Sequence, residues 1–546
     1  MARRVVDAVV VGSGPNGLVA SILLAEAGWD VLVLEATSRA GGALATVERP
    51  AGFAAEVFSA FHPLAVASPV LSGLELEGHG LSWRHAPVVL AQPFGPYDEA
   101  EAERAAVLHR SAEDTAAALD ADASGDGETW LRLAAQWRRW RDPLLRALLG
   151  PFPPVRSALA LLRRVGTADA LHLARMLAMP ADRLGAELFR GRAGAMLITG
   201  NAMHADIPAV ATGSGAFGWF LAMLCQDVGL PVPAGGSGQF ARALVSRARA
   251  AGAEILVRNP VNRVVVGNGR ALGVLTEAGN AVRARRAVVA DVPAPALYQR
   301  LLDEAVLPAR VRADVRRFRW DPPTVKLNWA LSGAVPWRAT EVSKAGTVHL
   351  GASGADLAEW SADLASGRMS PQLFLLLGQM AVADPDRAPA GADSVWAYSH
   401  LPRDLASHRR SALARELAVR MEDCVEAHAP GFRDRILDRW VQLPEELESE
   451  DPSLDRGAVN GGTANLYQQG PFRPLPGLGR AETVVPGLFL AGASAHPGGG
   501  VHGAAGANAA RAALAAARLG GSPGRAVSAL QRWLAARPGP LPWPGD

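Results

Sequence analysis

A glycine-rich turn near the N-terminus constrains the fold of this chain more than any other feature. The turn follows an apolar stretch, Val5–Val11, that is typical of a buried strand, and it opens a helical pattern at Pro15–Ala27. Glu35 ends the next strand, 21 residues after Gly14, which is close to the spacing of a dinucleotide-binding fold. The turn itself is Gly12-Ser13-Gly14-Pro15-Asn16-Gly17.

Each part of this turn has a separate task in such a fold. The first glycine permits the sharp bend, the second lets the backbone approach a diphosphate, and the third lets the helix pack closely on the strand. The amide groups and dipole of the helix start stabilise the phosphates, and the Glu35 carboxylate accepts hydrogen bonds from a ribose diol. The sequence therefore predicts a Rossmann-type nucleotide-binding unit over residues 5–35.

Two later parts of the chain repeat this strand–helix logic, so the nucleotide-binding domain is predicted to be discontinuous. Residues 236–291 and 483–518 fit short strands and helices, whereas two long insertions lie between them. We predict an α/β fold with a second, α+β domain made from the insertions. The predicted boundaries are 1–75, 226–300 and 480–520 for the first domain, 76–225 and 301–479 for the second, and 521–546 for a C-terminal tail.

Composition and charge exclude several other classes of protein. The formal net charge of +2, from 55 basic and 53 acidic residues, lacks the basic excess of a nucleic-acid-binding protein. The only two cysteines, Cys225 and Cys424, lie far apart in sequence, which fits a reducing compartment and argues against a thiolate site. No side chains have metal-ligand spacing, so we expect no metal. No uncharged apolar stretch reaches about 18 residues, so we expect a cytoplasmic protein without a membrane span.

Two further motifs resemble those of the flavin amine oxidase and phytoene desaturase superfamily. The first is the glycine pair in Arg39-Ala40-Gly41-Gly42-Ala43, which follows the ribose carboxylate. The second, at residues 486–503, closely resembles the phytoene desaturase signature and has the sequence PGLFLAGASAHPGGGVHG. This resemblance implies an FAD-dependent oxidoreductase whose cofactor is held by the N-terminal turn.

The resemblance also assigns FAD contacts beyond the first turn. It places Gly492 and Ala493 at the diphosphate, Ala493 through its backbone only, since many flavoproteins have an aspartate there. It places Gly500 and Val501 at the pyrimidine end of the flavin, where a positive helix end favours reduced flavin. The remaining contacts that it implies are Val261 at the adenine and Ala36, Gly41 and Gly42 beside the glycine turn.

Lys326 is the first candidate catalytic residue. It lies on an otherwise apolar predicted strand, Thr324–Leu331, where an ammonium without partners would be costly to bury. In the related amine oxidases a lysine at a similar place, upstream of a pair like Pro336-Trp337, holds a water against the reactive flavin nitrogen. The alternative is that Lys326 points outward from a half-exposed strand.

Histidines supply the second candidate. His496 and His502 flank the turn that the resemblance places at the flavin, and either can act as an acid, a base or a binding group. We name His496 as a candidate catalytic residue. The alternative is that both histidines are structural.

The resemblance implies oxidation or desaturation of an apolar small molecule by hydride transfer to FAD. An electron acceptor (oxygen, a quinone or another carrier) then reoxidises the flavin. Amine oxidation and isomerisation remain alternatives, as does a non-catalytic flavin-binding protein with a regulatory or interaction role.

A basic, aromatic and apolar stretch at Trp130–Gly166 has two interpretations. Such a pattern can lie on a membrane surface, which would suit an enzyme with a lipid-like substrate. The alternative is a helical wall of the substrate domain with arginines on its solvent side.

Overall fold

The computed structural model describes residues 3–49, 52–351, 353–518 and 522–535. Its strands are β1 (Arg3–Val11), β2 (Val31–Leu34), β3 (Thr46–Arg49), β4 (Phe53–Glu56), β5 (Trp83–Arg84), β6 (Val88–Pro93), β7 (Ala105–His109), β8 (Val232–Pro233), β9 (Glu254–Leu256), β10 (Val261–Gly267), β11 (Arg270–Thr276), β12 (Ala281–Ala290), β13 (Thr324–Leu331), β14 (Ala345–Gly351), β15 (Phe374–Gln379), β16 (Asp393–His400), β17 (Ile436–Gln442) and β18 (Leu488–Leu490).

The α-helices range from single turns to a helix of 24 residues. They are α1 (Pro15–Glu26), α2 (Pro63–Ala67), α3 (Glu99–Ala102), α4 (Ala112–Asp122), α5 (Asp126–Leu149), α6 (Val155–Val165), α7 (Thr167–Ala178), α8 (Ala181–Leu188), α9 (Arg192–His204), α10 (Ser214–Val228), α11 (Ser237–Ala250), α12 (Ala294–Ala296), α13 (Ala309–Arg316), α14 (Ala355–Ala365), α15 (Met380–Ala383), α16 (Ser407–His428), α17 (Pro444–Glu450), α18 (Ala504–Arg518) and α19 (Ser522–Ala535).

The first sheet is built from three separated parts of the chain. Its order is β10-β11-β12-β1-β2-β9, and β18 pairs with the end of β12 beside β11. The central pairs β12–β1, β1–β2, β2–β9 and β12–β18 are parallel, while β10, β11 and β12 are antiparallel. A parallel sheet of this kind must be covered on both faces, which explains the continuous burial of β2. The predicted Rossmann-type unit is confirmed.

Packing against this sheet joins helices from all three parts. Helices α1, α11 and α18 contribute to one apolar cluster with the β1 and β2 side chains of one face. The side chains of the other face form a second cluster with residues 294–318 and 475–490. The glycine turn between β1 and α1 therefore lies at the carboxyl edge of a rigid, doubly covered sheet.

The second sheet comes from the two insertions and supports an α+β unit. Its order is β17-β13-β16-β15-β14-β6-β7, antiparallel except for the parallel pair β14–β6. One face packs on helices α5 and α8–α10 in the largest apolar cluster, and the other face packs on α16. The expected α/β fold with a second, α+β unit is confirmed.

The tryptophans of the stretch at 130–166 belong to the core. Trp130, Trp137 and Trp140 lie on one side of α5 and are at most 4% exposed. Trp137 packs edge-on against Trp219 of α10, with ring centroids 5.9 Å apart. A membrane role for these three rings is therefore wrong, and they form the helical wall that the alternative interpretation expected.

The C-terminal segment forms helix α19 within the predicted tail, while residues 521 and 536–546 lie outside the described part. Gln531 of α19 donates a hydrogen bond to the Glu482 carbonyl oxygen at 2.9 Å, so this helix is docked on the body. Over the described ranges, no helix combines the length and apolarity that crossing a membrane requires.

Candidate functional site

The glycine turn lies directly against Asp291, the first residue after β12. The Gly17 amide donates a hydrogen bond of 2.7 Å to Asp291 Oδ2. Gly12 has a φ of 93°, and a Cβ there would lie 2.5 Å from the Asp291 carbonyl oxygen. A Cβ on Gly14 would lie 2.8 Å from Asp291 Oδ2. Side chains at these positions would therefore collide with Asp291, so glycine is required for the turn to pack against the end of β12.

Glu35 lies where the sequence predicted it, at the tip of β2 beside the turn. The Ser13 amide and hydroxyl both donate to Oε2, at 2.9 and 2.6 Å, and the Thr37 amide donates to Oε1 at 2.8 Å. The side chain is only 7% exposed. The Thr37 hydroxyl also lies 2.9 Å from Oε1, and together these contacts hold the carboxylate in one orientation beside the turn.

The two other glycine motifs meet the first turn. The Gly41 amide donates to the Ser13 carbonyl oxygen at 3.0 Å, and a Cβ on Gly42 would lie 3.0 Å from the Gly14 Cα. A Cβ on Gly492 would collide with the carbonyl oxygen of Val292, next to Asp291. Three sequence-distant segments therefore form one cradle of bare backbone, which fits the close approach of a diphosphate.

The remaining predicted FAD contacts lie around this cradle in different degrees of burial. Ala36 is exposed directly after Glu35, and Val261 is half-buried at the start of β10. The backbone between β9 and β10 runs beside Glu35, since the Asn259 amide donates to the Glu35 carbonyl oxygen at 2.8 Å. Pro15 starts α1, and Asn16 next to it is 8% exposed. In the C-terminal signature, the Ala493 carbonyl oxygen accepts a hydrogen bond from Arg473, Gly500 contacts Leu64, and Val501 is half-buried.

Two carboxylates that no motif indicated also face the cradle. Burial, together with the nearby carboxylates of Asp451 and Glu35, raises the pKa of Asp291 to about 7. Asp451 Oδ2 lies 3.5 Å from the Cβ position of Gly42, and burial raises its pKa as well. Asp291 had one usable signal, its place at the carboxyl end of a buried strand; Asp451 had none.

Lys326 is buried in the second sheet and is only 3% exposed. Its ammonium donates to the carbonyl oxygen of Glu56 and lies 5.4 Å from the ring centroid of Trp396. The alternative that this lysine points outward from a half-exposed strand is wrong. Its strand β13 is buried along its whole length, between β16 and β17.

A buried ion pair lies next to Lys326. Arg387 donates to Glu56 Oε1 at 2.6 Å, and both side chains are fully buried. Thr46 and the Ser237 amide donate to the same carboxylate, at 2.8 and 3.0 Å. Burial lowers the pKa of Lys326 to about 7; the Glu56 carboxylate opposes this shift, and the Arg387 guanidinium adds to it.

A row of rings follows Lys326 along the neighbouring strand. Tyr398 stands directly opposite Lys326 in the β13–β16 register. Its ring stacks on Trp396, with centroids 6.0 Å apart and planes at 8°, and meets His400 edge-on at 5.5 Å. Alternate residues of a strand share one face, so these three rings and Lys326 lie on the same side of the sheet. Sequence reasoning missed the row.

His400 belongs to a buried polar network. Its Nε2 donates to Asp206 Oδ1 at 2.8 Å, and the Asn460 amide group donates to Asp206 Oδ2 at 2.5 Å. Burial alone would lower the pKa of His400, but the charge and hydrogen bond of Asp206 raise it above the ordinary value. This network joins the end of α9 to the glycine pair Gly461-Gly462, which contacts Ala493.

The two C-terminal histidines bind backbone groups. His496 Nε2 donates to the Gly150 carbonyl oxygen at 3.1 Å, and its ring meets Phe152 edge-on at 5.7 Å. His502 Nδ1 accepts from the Ala504 amide at 3.0 Å. These contacts fit the structural interpretation, and the catalytic assignment of His496 stays a prediction.

Comparison with known proteins decides the family. The profile of flavin-containing amine oxidoreductases matches residues 16–514, from within the glycine turn to a point within α18. The chain belongs to this family. It is an FAD-dependent oxidoreductase, and the phytoene desaturase and amine oxidase resemblance of the sequence is confirmed.

Individual relatives are similar over almost the whole chain. The rat pyridine nucleotide-disulfide oxidoreductase domain-containing protein 2 is 27% identical, over 92% of this chain and 92% of its own. The hydroxyneurosporene desaturase of Cereibacter sphaeroides is 28% identical, over 94% of this chain and 99% of its own. An oxidoreductase from Methanosarcina mazei shares the fold, with a TM-score of 0.62 at 15% identity, over 94% of this chain and 100% of its own.

Proposed function

We propose that this flavoenzyme dehydrogenates or desaturates an apolar small molecule, with Lys326 beside the flavin. The observation that carries the proposal is a lysine buried on the second sheet, beside the stacked rings of Trp396 and Tyr398. A desaturase among the relatives supports the reaction type. The proposal places catalysis at Lys326, whose ammonium donates a hydrogen bond to the carbonyl oxygen of Glu56 at the end of β4.

We infer that residues of the cradle hold FAD. The amides at the start of α1 and the backbone of Gly41, Gly42 and Gly492 would bind the diphosphate, and Glu35 would bind the ribose. Bound FAD supplies a hydride acceptor. The division into a cofactor domain and a substrate domain at the boundaries given above remains part of this proposal.

Lys326 would control a proton at the flavin. Because its pKa lies near 7, it can carry or release a proton at physiological pH at little cost. The carbonyl oxygen of Glu56 fixes the direction of its ammonium. Lys326 would thus position a water or oxygen during reoxidation by oxygen, a quinone or another carrier.

A test of this role needs no knowledge of the substrate. The flavin of the holoenzyme is reduced by light and a sacrificial donor, and reoxidation is followed by stopped flow after mixing with oxygen. We expect Lys326→Met to slow reoxidation roughly 100-fold. Only two of the 55 basic residues are lysines, so Lys344→Met, at an exposed position paired with Glu341, is a matched control. An unchanged reoxidation rate in Lys326→Met would refute the role.

Amine oxidation is the second candidate because Trp396 and Tyr398 form an aromatic pair beside Lys326. Such rings attract cations. However, the Lys326 ammonium already lies over Trp396, and a second cation there would be repelled. We therefore place amines after neutral substrates. Anaerobic bleaching of the flavin by amines but not by neutral compounds would reverse this order.

We also infer a peripheral membrane contact through α6. This helix is basic and carries three large apolar side chains at helical spacing that are between 49% and 57% exposed: Val155, Leu159 and Leu162. Arginines flank them at positions 156, 163 and 164. An apolar stripe with basic neighbours is the pattern of a helix that lies in an anionic membrane surface.

A further inference from the structure

The Tyr398 hydroxyl has no role in the network described above. Among the described residues it has no hydrogen-bond partner, although the ring is held between Trp396 and His400. Burial, with the charges of Asp206 and Asp321, raises the pKa of Tyr398 well above its ordinary value. The group is therefore a neutral phenol at any physiological pH, and a hydrogen-bond donor.

Tyr398 is half-buried, and its surroundings strongly suppress the ionisation of its hydroxyl. Part of this side chain is therefore open to water or a ligand. An unpaired hydroxyl in such a place costs free energy unless a water or a ligand satisfies it. The hydroxyl is therefore a hydrogen-bond donor that a water or a ligand can satisfy.

His204 offers a second polar group near the same network. Its Nδ1 is hydrogen-bonded to His349 Nε2 at 3.1 Å, whereas its Nε2 has no partner among the described residues. Burial lowers the pKa of His204 to about 4, so this ring is also neutral. His204 and Tyr398 are each two residues from a member of the Asp206–His400 pair, which links their elements.

Charge at this place disfavours ionic head groups. Asp206 accepts a hydrogen bond from His400, whose pKa it raises, and Asp321 accepts from the backbone amides of Asn460 and Gly462. The Lys326 ammonium opposite Tyr398 repels an organic cation. A carboxylate would meet the charges of Asp206 and Asp321. The matching group is a neutral oxygen.

We propose that Tyr398 determines substrate specificity by donating a hydrogen bond to a hydroxyl or carbonyl oxygen of the substrate, which is an oxygenated apolar molecule rather than a plain hydrocarbon. The proposal rests on the proposed function for the position of the substrate, beside Lys326. Loss of the hydroxyl would remove the discrimination between an oxygenated compound and its hydrocarbon counterpart.

Matched compounds test this directly. The oxidised holoenzyme is titrated with limonene, perillyl alcohol and perillylamine, and with methylcyclohexane, cyclohexylmethanol and cyclohexylmethylamine, while the flavin absorption spectrum is recorded. Within at least one set, we expect the alcohol to bind at least about tenfold more tightly than the hydrocarbon. Tyr398→Phe should abolish this preference and leave hydrocarbon binding unchanged. Tyr97→Phe, at a side chain that is 93% exposed, should keep it.

Several outcomes would overturn the proposal. These are an alcohol preference that survives Tyr398→Phe, a preference for the hydrocarbon or the amine, or a spectrum that no alcohol perturbs up to its solubility. A merely structural effect of the variant would weaken all compounds together. Unchanged flavin rates in Lys326→Met would remove the proposed function alone, since the Tyr398-dependent preference is measured by binding.

Discussion

At Lys326, the choice of residue type, the burial of the side chain and the proposed chemistry all indicate the same role. The chain uses arginine at nearly all basic positions, and an arginine keeps its proton in every protein environment. A buried lysine, in contrast, loses its proton readily, because burial disfavours the charged form. The presence of one of only two lysines at this buried position indicates that a titratable amine is required there.

The depressed pKa of Lys326 predicts a pH-dependent stability. Below about pH 7 the amine is charged in both the folded and the unfolded chain, so the full cost of burying the charge is present. Between about pH 7 and the unfolded value near 10.5, only the unfolded chain keeps the proton, so stability rises with pH.

We therefore expect the apoprotein and its Lys326→Met variant to diverge with pH. The free energy of unfolding of the wild type, relative to the variant, should increase by a few kcal/mol between about pH 6 and about pH 10. Urea unfolding at a series of pH values measures this difference. The Lys344→Met variant should run parallel to the wild type. A difference for Lys326→Met that does not change with pH would show that its pKa is ordinary.

Single residues also show where sequence reasoning ends. Glu35 could be predicted because a strand, a turn and a helix fix its distance from Gly14 along the chain. Tyr398 and Asp206 could not be predicted, because they are brought together only when β16 packs under the end of α9. Their local sequences carry no motif.

Elements with uniform burial were predicted best. The strand at Thr324–Leu331 has the predicted bounds, and all eight of its residues are buried. Strand β12 starts at Ala281, although only its last four residues form a continuous apolar run. Its first half alternates buried residues with exposed arginines, and two of these, Arg285 and Arg286, pair with Asp7. Because of these charged residues, the sequence pattern in that half did not indicate a strand.

Helix α6 carries the prediction that belongs to this scale. We expect the holoenzyme to sediment with phosphatidylglycerol vesicles, and more weakly with phosphatidylcholine. Replacing Leu159 and Leu162 together by aspartate should raise the lipid concentration for half-binding at least about tenfold, because each leucine contributes roughly 1.5–3 kcal/mol when buried. Val419→Asp, at an exposed site on α16, is the control. Equal binding of all three proteins would contradict the contact.

The whole molecule depends on segments that meet from far apart in sequence. Residues 3–34, 254–290 and 488–490 supply the first sheet, and the cradle needs the glycines of three such segments. Internal similarity of strand and helix patterns allowed this assembly to be predicted. The joint between the second unit and the cradle was not predicted. At this joint one arginine donates hydrogen bonds to several backbone carbonyl oxygens, and no motif marks such acceptors.

That arginine, Arg473, is 1% exposed and donates to the carbonyl oxygens of residues 460–463 and of Ala493, the last at 2.8 Å. Burial lowers its pKa to about 10, so it remains charged and its hydrogen bonds are strong.

Arg473→Met would leave these carbonyls unpaired, which should lower the free energy of unfolding by roughly 3 kcal/mol. Because Ala493 lies in the flavin signature, flavin fluorescence on heating should appear about 3 °C earlier than in wild type. Arg480→Met, at a side chain that is 40% exposed, should release flavin at the wild-type temperature. Coincident release in all three proteins would mean that the cradle holds its cofactor independently of this joint.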